Sequence, residues 1–154
     1  MGIEVIKPMP DAEIKISGMI NEDFRFEGLD WGAVKTLKVD LEHVKSINSC
    51  GIREWIKWLN LMGSAQIELY HCPKIIIDQV NMVQGFLPVN AKVRSFYVPF
   101  YNEDFGSEKN ILLEYGKDFD DKTVRVPENV TDDEGNPMEI DVIEAKYFKF
   151  IGRS

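Results

Sequence analysis

Soft metal ligands are scarce in this chain: Cys50, Cys72, His43 and His71 are all that its 154 residues hold. Two thiols make no disulfide framework, fit a reducing compartment and exclude by arithmetic a thiolate zinc ribbon. No apolar run approaches a membrane span, and residues 1–15 lack the apolar core of a signal peptide, so a cytoplasmic location away from membranes is expected. Positive charge is in the minority, 18 Lys and Arg against 26 Asp and Glu, a formal net charge of −8. A long basic groove for nucleic acid is therefore not expected, whereas a basic or neutral protein partner is easily accommodated. The signatures of catalysis are missing too: there is no Gly-rich phosphate loop, His-Glu-x-x-His helix or G-x-S-x-G elbow, and no carboxylates are paired by spacing. No enzyme, cofactor or metal is implied.

What is present suffices for one well-buried core with an appendage, at 44% hydrophobic residues. Residues 2–7 (GIEVIK) and 12–17 (AEIKIS) alternate apolar and polar around the turn PMPD and read as paired strands. The segment 21–35 (NEDFRFEGLDWGAVK) is broken by two glycines and predicts at most a brief helical turn, its aromatics pinning a loop to the core. Residues 36–41 (TLKVDL) read as a buried central strand and 43–47 as a short loop. The turn Asn48-Ser49-Cys50-Gly51 then opens a helix from about 51 to 62, which Asn48 or Ser49 can cap. Ile52, Trp55, Ile56, Leu59 and Met62 form its sheet-facing stripe. Trp58 and Leu61 fall off that stripe and need another surface, either a partner or a later part of this chain.

A strand at 66–71 follows, then a helix opened by Cys72-Pro73 with Ile76, Val80, Val83 and Leu87 facing inward, then a last strand at 91–99. Beyond 99 the pattern changes. A polar loop at 100–107, a strand at 109–115, a short β-prone piece at 123–126 and an aromatic strand or helix at 138–151 read as a small β-rich extension. Its apolar content is too high for a disordered tail, and Trp58 and Leu61 are its expected landing site.

The central stretch resembles a family. Val39-Asp40-Leu41, then Ile47-Asn48-Ser49-Cys50-Gly51-Ile52, is similar to the strand end, Asp-Ser-Ser/Thr-Gly turn and helix of STAS domains, the anti-sigma-factor antagonists and their relatives. The resemblance implies an α/β fold, a STAS-like mixed sheet with helices packed on one face over residues 1–99, with the extension at 100–154 packed on that core. It also implies a non-catalytic bacterial signalling protein whose partner is an anti-sigma factor, a serine kinase or a sensory complex. In switching members the hydroxyl residue before the Gly is phosphorylated; here Cys50 holds that position and Asn48 replaces the Asp, leaving Ser49 as the candidate phosphoacceptor.

The partner-binding residues expected are Asn48, Ser49, Cys50, Gly51, Arg53 and Trp58. Met138-Glu139-Ile140-Asp141 and Tyr147-Phe148 further resemble the ending of STAS-like proteins that carry a zinc-ribbon-like segment. Asn102, Phe105, Thr131 and Glu134 stand where its cysteines would be, which implies a metal-free segment held by packing. Two alternatives remain open: a thiol sensor or enzyme using Cys50, whose pKa a helix start can lower, with Cys72 and His71 at the same sheet edge, and a homo-oligomeric scaffold using the Trp58 edge.

Overall fold

The structure is a computed structural model and describes residues 2–152. Strands β1 (Gly2–Lys7) and β2 (Asp11–Ile20) pair antiparallel, and β3 (Thr36–Ile47), β4 (Gln66–Tyr70) and β5 (Ala91–Val93) follow parallel to β2, in the spatial order β1-β2-β3-β4-β5. Parallel neighbours need crossovers. Helix α1 (Ser49–Leu61) joins β3 to β4, and α2 (Lys74–Met82) joins β4 to β5.

Alternation along each strand decides its two faces. Ala12, Ile14, Ile16, Leu37, Val39, Leu41, Ile67, Leu69, Ala91 and Val93 are buried in the same core as Trp55, Leu59, Ile76 and Val80 of the two helices. The intervening residues form an open, charged face. Register aligns Lys7, Glu13, Lys38, Glu68 and Lys92 in one row across all five strands, alternating in sign at every step. Opposite charges in adjacent positions contribute roughly 0.2–1 kcal/mol each, and they keep this face wet without a covering layer.

Three local expectations change. The central strand does not stop at Leu41: residues 43–47, read as a loop, continue β3 because Ser17 to Ile20 of the ten-residue β2 pair with them. Residues 91–99 are not one strand. The chain breaks at Arg94, and β6 (Ser95–Asn102) belongs to a second sheet with β7 (Ser107–Glu114) and β8 (Glu139–Ile140), in the order β7-β6-β8. A division at residue 99 thus falls inside a strand, and the polar loop expected at 100–107 shrinks to the four residues between β6 and β7.

The third change concerns Trp58 and Leu61. The buried residues of α1 are Gly51, Trp55, Trp58 and Leu59, so the helix is rotated to bring its Trp edge inward. Trp58 is 1% exposed; the Phe26 ring stacks on it at 4.7 Å and the Trp31 ring meets it edge-on at 5.2 Å. The covering element is the glycine-broken segment 21–35, which holds only a 3-10 turn at Trp31–Ala33. Leu61 stays 63% exposed.

The C-terminal residues land on α2 instead. Asn81 Nδ2 donates to the Tyr147 carbonyl at 2.9 Å, and Phe96 of β6 contacts the rings of Phe119, Tyr147, Phe148 and Phe150. The closing segment is strand and helix in turn: β8, then α3 (Glu144–Tyr147) and a 3-10 turn at Phe148–Phe150. No helix among the described residues is long and apolar enough to cross a membrane.

Trp58→Ala is expected to cost about 3–5 kcal/mol in urea unfolding, the range for emptying a buried aromatic site. Leu61→Ala should change stability by no more than about 0.5 kcal/mol, as for an uncovered surface position. Equal, small effects would contradict the rotation of α1 described above.

Candidate functional site

The turn from β3 into α1 is built by two side-chain positions. Asn48 is the N-cap: its Oδ1 accepts from Gly51 N at 2.9 Å, while its Nδ2 donates to Glu22 Oε2 at 2.9 Å. Its own N–H donates to the Ile20 carbonyl at 3.2 Å. The amide is therefore used at both ends. An Asp here would keep the cap but lose the donor, and would set a second carboxylate against Glu22.

Hydrogen bonding from Asn48, and then from the backbone, holds the Glu22 carboxyl below its ordinary range. Gly51 is the second fixed position. A Cβ added there would run into the Ile20 carbonyl oxygen, so the first turn of α1 sits directly on the end of β2.

Around this anchored turn, Ser49 is exposed and its side chain makes no hydrogen bond within the described residues, and Arg53 is exposed one turn later. Cys50 is half-buried, with Arg53 Nη2 4.0 Å from its Sγ. Asn48, Ser49, Cys50, Gly51 and Arg53 thus share one turn. Trp58, expected among them, does not: it lies in the core and offers a partner no surface.

The thiol trio also separates. Both cysteines are free, and Cys72 is 0% exposed. Burial, with the charge of Asp40 added, pushes the Cys72 thiol far above its ordinary range and keeps it protonated. An uncharged, buried thiol is a packing group rather than a nucleophile.

A second polar cluster carries no mark in the local pattern, because its members come from three strands. Asp40 Oδ1, within β3, lies 3.1 Å from Nδ1 of His71, the residue just past β4. His71 has φ 54, in the left-handed region uncommon outside Gly, and its N–H donates to Ser95 Oγ at 2.7 Å. Beside it, Tyr97 OH donates to Glu42 Oε1, and burial together with that bond pushes the Tyr97 hydroxyl up to about 12.

Only His71, just past β4, and Tyr97, near the start of β6, stand at strand ends; Asp40 and Glu42 lie within β3. The cluster's strongest role is structural, since Ser95 and Tyr97 open β6. Cys72 N donates to the Ser95 carbonyl and Tyr97 N to the Cys72 carbonyl, which stitches the second sheet to β4. Two grooves, of about 760 and 670 Å³, flank α2, and neither is lined by Asp40 or His71.

Among the described residues, no three His, Cys, Asp or Glu side chains converge as a metal site. Where the resemblance puts cysteine, Asn102 is buried and bonds on both sides. Its Oδ1 accepts from Phe105 N at 3.2 Å, and its Nδ2 donates to the Pro137 carbonyl at 2.9 Å. No family model, curated protein or solved structure matches the chain.

Asn48→Ala should cost about 1 kcal/mol, the usual loss for an N-cap. Gly51→Ala should cost about 3 kcal/mol or more, because the added methyl meets backbone rather than a movable side chain; paired urea titrations measure both. A tyrosine whose folded pKa is raised stabilises the fold fully below its unfolded value of about 10, and that contribution is lost as pH rises through about 12. Absorbance titration at alkaline pH should therefore show a late-ionising tyrosine in the wild type that Tyr97→Phe removes, together with part of the stability loss above about pH 10.

Proposed function

We propose that this protein is a non-catalytic regulatory module that docks a protein partner on the exposed start of α1, residues 48–53, in the manner of the STAS domains it resembles. The observation that carries the reading is the double anchoring of that turn, Gly51 against Ile20 and Asn48 between Glu22 and the helix, with the Ser49 side chain left unengaged at its tip. A surface already ordered before binding loses little conformational entropy on association. The first turn of α1 carries no acidic residue of its own, and Arg53 adds a cation beside it.

The reading extends to the rest of the resemblance. The first sheet, closing with β5 at Val93, corresponds to a STAS-like sheet with helices on one face, and the chain from β6 onward to a ribbon-like extension held without metal. The partner class is an anti-sigma factor, a serine kinase or a component of a bacterial sensory complex, and the location is cytoplasmic. Docking works without a phosphoserine switch. A phosphate on Ser49 would add about −1.5 to −2 charge next to the Glu22 carboxylate that Asn48 already holds at the helix start. A thiol sensor at Cys50 finds no resolving partner in the buried Cys72, and a scaffold built on the Trp58 edge finds that edge inside the core.

A photo-crosslinker placed at Ser49 should capture a discrete protein from the source proteome, and Arg53→Glu should abolish that capture. The same crosslinker at Lys92, on the far edge of the sheet, should not capture it. Identical products from both positions would overturn the docking reading. Stoichiometric phosphate on Ser49 in protein purified from its own cells would replace it with a phosphoswitch.

A further inference from the structure

The groove of about 760 Å³ beside α2 has a helix for one wall and the edge of a sheet for the other. Lys74, Asp78, Asn81 and Met82 share one face of α2, and residues 140–143, from β8 to the start of α3, line the opposite side. β8 is an outer strand of the second sheet and, among the described residues, pairs with β6 alone. Asp141 N donates to the Pro99 carbonyl, which fixes the phase of that pairing. In an antiparallel pair, alternate residues turn their main-chain groups to opposite sides. Ile140 therefore directs its N–H and C=O away from β6, and no described residue bonds to them. The lips of the groove are apolar and uncovered: Met82 is 71% exposed and Ile143 64%.

We propose that this groove binds an extended peptide with acidic side chains, laid as a short added strand between β8 and α2. The adjacent donor and acceptor of Ile140 are what an extended main chain complements, and alternate side chains of the added strand reach the apolar lips. The volume falls within the roughly 300–1,000 Å³ typical of ligand sites.

Charge selects the acidic side chains. Three lysines and two aspartates line the groove, but Lys74 Nζ holds Asp78 at 2.8 Å. Lys146 and Lys149 are exposed and make no ion pair among the described residues, with only Asp141 left to oppose them. The whole chain carries −8, yet charges beyond about 8 Å are largely screened at physiological salt, so a ligand in the groove meets the lysines first. β8 is two residues long, so its main chain supplies few hydrogen bonds and the lysines and apolar lips the rest. The complex is accordingly weak and salt-sensitive.

The groove shares no residue with the start of α1, so the two sites separate by mutation. A fluorescein-labelled hexapeptide of alternating valine and glutamate should bind saturably by fluorescence anisotropy, and should shift the amide NMR signals of residues 140–143. Lys146→Glu combined with Lys149→Glu should weaken that binding about tenfold with an unchanged melting curve, since both residues are exposed. Arg53→Glu should leave it unaltered. The same hexapeptide N-methylated at every residue, which cannot pair as a strand, should not bind. Absence of saturable binding overturns the proposal, as does equal binding of the N-methylated peptide or of a hexapeptide of alternating valine and lysine. Lysine-dependent binding of decanoate without binding of the peptide would assign the groove to anionic amphiphiles and overturn it too.

Discussion

A single hydrogen on the α-carbon of Gly51 is all the room left between the first turn of α1 and the carbonyl of Ile20. That carbonyl also accepts the N–H of Asn48, so the end of β2 and the start of α1 are joined by both contact and hydrogen bond. To present it there, β2 runs ten residues, and β3 runs twelve beside it, with irregularities in register absorbing the mismatch. Seated in this way, α1 buries Trp55, Trp58 and Leu59. Trp55 stacks on Phe86 and donates to its carbonyl, while Trp58 is roofed by Phe26 and Trp31. The glycine-broken segment 21–35 is thus a lid on the helix that the β2 end positions.

The second sheet depends on a different seam. His71 and Cys72, just past β4, hold Ser95 and Tyr97 through backbone and hydroxyl bonds, and Phe96 between them becomes the centre around which the C-terminal aromatics gather. A buried, uncharged Cys72 and a left-handed His71 are what this crossing needs, which accounts for two residues whose chemistry would otherwise suggest reactivity. At the far end of β6, the Asn102 amide makes two hydrogen bonds, accepting from Phe105 N and donating to the Pro137 carbonyl, and so ties the β6–β7 turn to the segment before β8.

The groups with shifted proton affinity fall into two kinds. The clearest shifts belong to groups that keep their protons, the Cys72 thiol and the Tyr97 and Tyr147 hydroxyls, or to exposed carboxylates in local turns such as Asp120 and Asp132. A buried neutral tyrosine or thiol stabilises packing and does not exchange protons near neutrality. The turn at 48–53 is shaped instead by steric fit and by an amide that satisfies a carboxylate.

Much of the fold is legible in the residues taken alone. Strand periodicity in 2–7, 12–17, 36–41 and 66–71, the Asn and Gly of the helix start and the glycine-broken 21–35 all follow from local sterics and hydrogen-bonding capacity. Contacts between distant segments decided the rest. Residues 43–47 look like a loop until β2 offers them a partner, and Trp58 looks like a spare apolar edge until Phe26 and Trp31 cover it.

The helix-start turn was therefore legible as a place, because Asn48 and Gly51 act on their neighbours. What holds it, Glu22 and the Ile20 carbonyl, lies more than twenty-five residues back, where no local pattern reaches. Periodicity reports which face of an element is apolar; only the assembled tertiary structure determines what that face meets.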